Sequence, residues 1–296
     1  MKPWTERRLA LAHITLAARE REAPGPKVLA LHGWLDNAAS FDALAPQLPM
    51  AHIVAPDFAG HGRSEHRPLG AWYHLIDHLS EIDALLEQLG WRNVILLGHS
   101  MGGALACLYA AARPARVDAL WLIEGLGPIS GEATELPAQI GRALAERGAS
   151  AGKALRIFAS VDEAVAVRCA ATPMAPTGAR PLIERALKEK SGGGWSWSSD
   201  PRLRLTSPLR MTELQVEAAL RAIACPTLLI SATATQTWYS PAAMAHRIAC
   251  VPQIEHRVLS GNHHLHIDSP HAVGAVIVSF HDTATTEQAN QSAAHS

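Results

Sequence analysis

The stretch Ile95-Leu96-Leu97-Gly98-His99-Ser100-Met101-Gly102-Gly103-Ala104 decides the fold. Its apolar first half is typical of a buried strand, and the small apolar residues 104–112 that follow suit a buried helix. Ser100 lies between two glycines in a G-x-S-x-G pattern, which a sharp strand-to-helix turn requires because neighbouring backbone leaves no room for side chains. Such a turn exposes the hydroxyl beside helix N–H groups that can stabilise an oxyanion. We therefore predict that Ser100 is a nucleophile rather than an incidental serine in a glycine-rich turn.

The composition indicates a globular protein with a large core. The chain has 296 residues, of which 48% are hydrophobic, so it can bury a large core. Lys and Arg total 26 against 27 Asp and Glu, a formal charge of −1, which gives no broad electrostatic case for nucleic acid or an acidic membrane surface. No apolar run approaches the roughly eighteen residues of a membrane span. We predict neither nucleic acid nor membrane as a partner, and the oligomeric state stays open.

Cysteine usage bears on the cellular compartment. The four cysteines are scattered without a C-x-x-C motif, which indicates reduced structural thiols in a cytoplasmic protein. Residues 7–12 faintly resemble a signal peptide, but His13 and Thr15 interrupt the apolar run. A strand is the better interpretation there, and we expect a cytoplasmic location.

Short apolar strands alternate with helical stretches along most of the chain. Apolar runs at 28–31, 52–55, 93–97 and 117–123 alternate with helical patterns, among them a short helix predicted at 41–48. Residues 9–19 suit one or two antiparallel edge strands. This alternation predicts an α/β protein with a mostly parallel, doubly wound sheet.

The alternation stops after Gly127-Pro128 and resumes at Cys225-Pro226. The intervening segment has helical stretches but no strand pattern, and Ser191–Gly194 forms a flexible link. We predict a core domain formed by residues 1–127 and 211–281, with a mostly helical cap inserted at 128–210. The last residues, 282–296, lack an apolar period and are predicted to be a disordered tail.

The general base is expected in the loop Gly261–Pro270, between the last strand and the last helix. Strand ends gather at one edge of such a sheet, so this loop and Ser100 share an edge. His263, the first of three histidines in the loop, is the favoured base, with His264 and His266 as alternatives. The cluster lacks carboxylates or cysteines at ligand spacing, so we predict no metal site there.

The orienting acid is harder to place. It is expected after the strand at 227–231, but residues 232–239 contain no carboxylate. Glu124 instead ends the strand that follows the nucleophile helix, where an apolar setting makes an unpartnered carboxylate costly. We favour Glu124 as the acid that orients the base. Asp57 is the alternative, although its spacing from Gly60 and Gly62 suits a turn-shaping role.

Two backbone amides are candidates for the oxyanion hole, those of Met101 and Trp34. His99, next to Ser100, is expected to support the site rather than act as the base. Trp195, Trp197 and Trp238 are candidates for lining an apolar substrate pocket, with packing inside the cap as the alternative.

The motifs together resemble the α/β-hydrolase fold superfamily, over residues 5 to 281. They are His32-Gly33-Trp34-Leu35-Asp36-Asn37, Asp57-Phe58-Ala59-Gly60-His61-Gly62-Arg63-Ser64, Gly98–Gly103, Trp197–Leu203 and Gly261–His266. Within it the chain is most similar to the serine hydrolase-like proteins. The resemblance implies a nucleophile at Ser100, a base at His263, no cofactor, and hydrolysis of small carboxylic esters. Some dehalogenase-like and lipase-like members place the acid where Glu124 lies.

Other functions remain open on the sequence alone. Carbon–carbon bond hydrolases and acyltransferases use the same groups. A binding protein on a hydrolase scaffold is the alternative from another class, supported by the missing carboxylate in residues 232–239.

Overall fold

The structure is a computed structural model that describes residues 2–150, 155–234 and 239–294, without the side chains of residues 150 and 287–294. Its strands are β1 (Thr5–Ala10), β2 (Thr15–Arg21), β3 (Lys27–Leu31), β4 (His52–Pro56), β5 (Val94–His99), β6 (Val117–Ile123), β7 (Ile157–Phe158), β8 (Leu187–Glu189), β9 (Trp195–Trp197), β10 (Thr227–Ala232) and β11 (Ile254–Leu259). Its α-helices are α1 (Asp77–Leu89), α2 (Met101–Ala112), α3 (Leu136–Ser150), α4 (Val161–Ala171), α5 (Pro176–Arg185), α6 (Glu213–Arg221), α7 (Pro241–Cys250), α8 (Leu265–Asp268) and α9 (Pro270–Ala294).

Eight of these strands form one sheet in the order β1-β2-β4-β3-β5-β6-β10-β11. The pairs β1–β2 and β2–β4 are antiparallel, and every other pair in this sheet is parallel. The predicted α/β class, with antiparallel strands at the N-terminal edge, is confirmed. β5, which precedes Ser100, lies in the middle of the sheet, so both of its edges are hydrogen-bonded, one to β3 and the other to β6.

Side chains from the two faces of the sheet enter two separate core layers. On β5, Leu96 packs with residues of α1, α2 and α6, whereas Ile95 and Leu97 pack with residues of α9. This follows from the two-residue period of a strand, which turns successive side chains to opposite faces. Among the described helices, none combines the length and apolarity needed to cross a bilayer.

The segment between β6 and β10 contains more than the predicted helices. Besides α3, α4 and α5 it holds a small antiparallel sheet in the order β7-β9-β8. The predicted flexible link is the turn between β8 and β9, where Lys190 exchanges backbone hydrogen bonds with Gly193 and Gly194 at 2.8 and 3.0 Å. Both glycines have positive φ, which suits a tight hairpin. The prediction of a mostly helical cap therefore missed these short strands.

Two further predictions need correction. A helix predicted at 41–48 is instead two short 3₁₀ helices, Ala38–Phe41 and Ala45–Gln47, the second with a proline in its first turn. Residues 282–294, predicted to be disordered, continue α9. Thr283, Thr285 and Thr286 in this extension donate their hydroxyls to carbonyl oxygens four residues earlier. The alanines of this segment have a high helix propensity, which favours a helix even without an apolar face.

Ion pairs fasten the cap to the core. The guanidinium of Arg185, at the end of α5, donates to both carboxylate oxygens of Asp57 at 2.9 and 3.1 Å. Both side chains are almost fully buried. Arg168 of α4 donates to Asp36 at 2.9 Å, and the amide of Asn37 donates to the carbonyl oxygen of Leu182 at 2.7 Å. The cap is therefore tied to the loops that follow β3 and β4.

The buried pair predicts a large effect on stability. Arg185→Met keeps the aliphatic stem but leaves the buried Asp57 carboxylate without its guanidinium, so we expect the free energy of unfolding to fall by about 3 kcal/mol. Arg180→Met, on the same helix, removes a solvent-exposed pair with Asp162 and should cost less than about 1 kcal/mol. Urea denaturation of both variants measures their free energies of unfolding. Equal losses would contradict a stabilising role for the buried pair of Arg185 and Asp57.

Candidate active site

The turn at Ser100 has the strained geometry that the sequence predicts. Ser100 has a φ of 51° and a ψ of −113°, and its N–H donates to the carbonyl oxygen of Ile123 at 2.9 Å. A Cβ atom at Gly98 would lie 2.6 Å from backbone atoms of Gly102 and Gly103. A Cβ at Gly102 would lie 1.9 Å from the carbonyl oxygen of Leu31. The glycines are therefore required by close backbone contacts at the start of α2.

A second strained residue lies beside the first. Glu124, directly after β6, has a φ of 54°, and its N–H donates to the carbonyl oxygen of Ile230 at 2.9 Å. A Cβ at the next residue, Gly125, would lie 2.3 Å from the carbonyl oxygen of Ser100. The left-handed conformation at residues other than glycine costs of order 1–3 kcal/mol and often marks functional positions. The chain is thus bent sharply at the ends of both β5 and β6.

The bend at Glu124 brings its carboxylate to the loop Gly261–Pro270, which we call the histidine loop. His263 Nδ1–H donates to Glu124 Oε2 at 3.2 Å, and both side chains are at least nine-tenths buried. The other carboxylate oxygen, Oε1, accepts a 2.6 Å hydrogen bond from the N–H of Ala232. Ala232 is the last residue of β10 and the first of the stretch 232–239 in which the sequence leads one to expect the acid. It therefore contributes a backbone donor to a carboxylate that follows the neighbouring strand β6.

Burial and charge act in opposite directions on His263. Burial lowers the pKa of its imidazole, and the Glu124 carboxylate raises it through the hydrogen bond and its charge. Burial dominates, so the pKa lies below the ordinary value of a histidine. The imidazole stays neutral, and able to accept a proton, to a lower pH than a solvated histidine.

The other candidates for the base and for the acid form hydrogen bonds away from the contact between His263 and Glu124. His264 Nε2–H donates to Asp36 Oδ2 at 3.1 Å, and a ring nitrogen of His266 lies 2.8 Å from the hydroxyl of Ser40. Asp57 is fully buried and accepts hydrogen bonds from the backbone N–H groups of Ala38 and Arg63 as well as from the cap. These contacts match the turn-shaping role expected for Asp57, and they place neither His264 nor His266 against Glu124.

His99 connects the loop after β3, which carries Asp36, to the loop that carries His263. Its Nε2–H donates to the carbonyl oxygen of His263 at 2.9 Å, and its Nδ1 lies 3.5 Å from Asp36 Oδ2. Burial opposes the ionisation of Asp36, but His264, His99 and Arg168 outweigh it and hold the pKa of this carboxyl well below its ordinary value. The sequence does not single out Asp36 within its motif, because no local pattern pairs a loop carboxylate with histidines more than sixty residues away.

The two candidate oxyanion residues lie at the same cavity as Ser100. Met101 is the first residue of α2, where an N–H has no partner within the helix. The loop bearing Trp34 is fixed by His32, whose Nδ1–H donates to the carbonyl oxygen of Gly33 at 2.7 Å and whose Nε2 accepts the N–H of Phe58 at 3.0 Å. The Trp34 indole is half exposed and donates to the carbonyl oxygen of Leu203 in the cap at 3.0 Å.

The cavity has a volume of about 240 Å³ and mostly apolar walls. Its described lining consists of Trp34, Ser100, Met101, Ala104, Glu124, Gly125, Gly127, Ile129 and Tyr239. Ile129 and Tyr239 are lining residues that the sequence analysis missed, and nothing in their local sequence distinguishes them. A larger cavity, of about 850 Å³, adjoins it and shares Glu124, Gly125 and Tyr239.

The tryptophan candidates need correction. Trp195 and Trp197 pack against the apolar cluster inside the cap, and the Trp197 ring meets the Phe158 ring edge-on at 5.1 Å. Neither belongs to the described lining of the Ser100 cavity. Alternation on the short strand β9 places both rings on the cap's own core. Trp238 lies outside the described residues.

Comparison with known proteins agrees with this fold. The family model for the α/β-hydrolase fold matches residues 26–270, so the chain belongs to the α/β-hydrolase fold family. It is similar to a probable serine hydrolase of Drosophila melanogaster, at 32% identity over 94% of this chain and 87% of the relative. The resemblance to serine hydrolase-like proteins is thereby confirmed.

Two solved structures are similar over almost the whole chain. The crystal structure of a hypothetical protein from Pseudomonas aeruginosa PAO1 has 40% identity and a TM-score of 0.89, covering 94% of this chain and 99% of the other. A thioesterase domain from the curacin biosynthetic pathway has 28% identity and a TM-score of 0.83, covering 94% of this chain and 100% of the other.

The pairing of His263 with Glu124 predicts a titration that can be measured without a substrate. We expect the His263 pKa, followed by NMR of the imidazole nitrogens, to lie below the ordinary histidine value of about 6.5. In Glu124→Gln the stabilising charge is lost, so the pKa should fall further. Glu87→Gln, on the exposed face of α1, is the control and should leave the titration unchanged. A rise in the Glu124→Gln variant would contradict the pairing.

Proposed function

We propose that this chain is a serine hydrolase of carboxylic esters in which Ser100 is the nucleophile, His263 the base and Glu124 the orienting acid. The observation that carries the proposal is the 3.2 Å contact between Glu124 Oε2 and His263 Nδ1. Glu124 and Ser100 line the same cavity. An acid in this position holds the imidazole in the tautomer whose Nε2 accepts a proton and stabilises the imidazolium that forms.

In the proposed first step, His263 Nε2 takes the proton of the Ser100 hydroxyl as its oxygen attacks the ester carbonyl carbon. The carbonyl oxygen gains the negative charge, which the N–H groups of Met101 and Trp34 would stabilise. The imidazolium then protonates the departing alcohol, and an acyl-enzyme remains. A water molecule deprotonated by the same imidazole attacks the acyl carbon, and the acid leaves as Ser100 regains its proton.

The cavity supports an apolar substrate of small to medium size. A volume of about 240 Å³ accommodates a short acyl chain, and Ile129, Met101 and Tyr239 offer it apolar contacts. The larger adjoining cavity offers room for the alcohol part or for a longer chain. None of the proposed steps needs a metal or an organic cofactor.

Thioester hydrolysis is the second candidate, and the 28% identity to a thioesterase domain favours it. The same three residues would serve, with a thiol as leaving group. Carbon–carbon bond cleavage and acyl transfer use the same residues as well. Matched oxygen and sulfur esters of increasing acyl length, assayed with and without an alcohol acceptor, separate these reactions by their products. A non-catalytic binding protein is less well supported, because Glu124 offers His263 the carboxylate that residues 232–239 lack.

Removal of the nucleophile tests the proposal most directly. Ser100→Ala should lower kcat for p-nitrophenyl ester hydrolysis by at least roughly 10⁴-fold and abolish covalent labelling by a fluorophosphonate. Ser80→Ala, at an exposed serine on α1, serves as the matched control and should retain both properties. Turnover that persists in Ser100→Ala would rule out the proposed nucleophile.

The orienting acid gives a separate kinetic test. Glu124→Gln should lower kcat by about 10²- to 10⁴-fold with little change in KM, because the carboxylate acts on the imidazolium formed during the reaction. The acid limb of the pH–rate profile should have its midpoint below about pH 6.5 in the wild type, since the lowered pKa keeps the base neutral there. In the variant this limb should move to lower pH. A near-wild-type rate would remove Glu124 from the mechanism.

A further inference from the structure

Three metal-binding side chains converge between α6 and α7, away from the candidate active site. They are Glu217 on α6 and His246 and Cys250 on α7, and their ligand atoms all lie within 4.8 Å of one another. We propose that this cluster binds a divalent transition metal ion of the zinc type. The proposal is independent of the ester hydrolysis proposed above.

Helix geometry explains why these residues meet. His246 and Cys250 are four residues apart, so their side chains lie on one face of α7, one turn apart. That face is directed at α6, where the Oε1 atom of Glu217 lies 3.0 Å from His246 Nε2. In a tetrahedral zinc site with bonds of about 2.0–2.3 Å, ligand atoms are roughly 3.2–3.8 Å apart. The observed spacing therefore needs only small side-chain movements.

The chemistry of the three ligands selects the class of metal. A thiolate, an imidazole nitrogen and a carboxylate oxygen together suit Zn²⁺ and its neighbours, whereas Mg²⁺ and Ca²⁺ prefer oxygen ligands only. Binding would replace the proton of the Cys250 thiol with a metal–sulfur bond and release that proton to solvent. The His246 side chain is 56% exposed, which gives the ion a route in and leaves the fourth position to water.

A neighbouring arginine orients the carboxylate of Glu217. Arg221 donates to Glu217 Oε2 at 3.0 Å, which leaves Oε1 directed towards His246. A hydrogen-bonded carboxylate of this kind is a common partner arrangement around metal ligands, because it fixes the direction of the free oxygen.

A second cluster of this kind, Asp36 with His99 and His264, is a weaker candidate. Its three ligand atoms are similarly close, and all three residues are buried. However, Asp36 already accepts hydrogen bonds from His264 and from the cationic Arg168. A metal there would have to displace these partners in the interior, so the contacts indicate a positioning role instead.

Metal binding at α6 and α7 would act on the candidate active site through Arg247. This residue follows His246, binds Glu213 of α6 through two hydrogen bonds, and donates to the carbonyl oxygens of Leu126 and Pro128 at 3.0 Å each. Those carbonyls belong to the segment that begins at Glu124. An ion that joins α6 to α7 would therefore stiffen the support of this loop.

The test uses Co²⁺ as a spectroscopic probe on the full chain. We expect one Co²⁺ per chain, with a thiolate-to-cobalt charge-transfer band that Zn²⁺ abolishes by displacement. At Zn²⁺ 100-fold above its Kd, the Tm should rise by roughly 5 °C. Cys250→Ala should remove the band, while Cys169→Ala, at a partly buried cysteine of the cap, should retain it.

A second variant keeps the test decisive if Cys250→Ala folds poorly. His246→Gln changes an exposed side chain and should weaken Co²⁺ binding at least roughly tenfold, with circular dichroism unchanged. His271→Gln, at an exposed histidine on α9, is its matched control and should bind as the wild type does. Absence of a charge-transfer band in the wild type, or a band that survives Cys250→Ala, would overturn the proposal.

Discussion

The contact between the backbone of Gly102 and the carbonyl oxygen of Leu31 constrains the rest of the structure. A Cβ at position 102 would lie 1.9 Å from that oxygen, so the first turn of α2 packs directly on the end of β3. This close packing forces the chain to reverse sharply at Ser100, with φ in the left-handed region. It also brings the loop after β3, which bears Trp34, to the N-terminus of α2. Nucleophile and oxyanion candidates are therefore consequences of one backbone contact.

A second constraint arises where β6 ends. Gly125 is pressed against the carbonyl oxygen of Ser100, and Glu124 takes up a left-handed conformation that turns its carboxylate towards the histidine loop. The carboxylate is shared between a side-chain donor, His263, and a backbone donor, Ala232. The carboxylate that follows β6 is thus held in part by an N–H group of the adjacent strand β10. The strain at Glu124 is offset by these two hydrogen bonds in a buried setting.

Much of the fold and part of the site could be predicted from the sequence. The run at 93–97, the glycines around Ser100 and the apolar strands at 28–31 and 117–123 carry local patterns that determine strand, turn and helix. Glu124 could be favoured because a carboxylate after an apolar strand needs a partner. The strands β7, β8 and β9 were missed because two or three residues are too few to show alternation. The network of Asp36, His99 and Arg168 was missed because it joins three segments distant in sequence, and only tertiary packing brings them together.

The ion pairs that fasten the cap have a consequence for how molecules enter. Arg185 with Asp57, and Arg168 with Asp36, join α5 and α4 to core loops through buried contacts, and the Trp34 indole bridges to Leu203. Swinging these helices outward as a rigid body would expose or separate buried charges at a cost of several kcal/mol. Outward movement of α4 and α5 is therefore costly, and we expect both helices to stay docked on the core while a molecule enters the Ser100 cavity. The rate of entry then does not depend on these two helices opening as a gate.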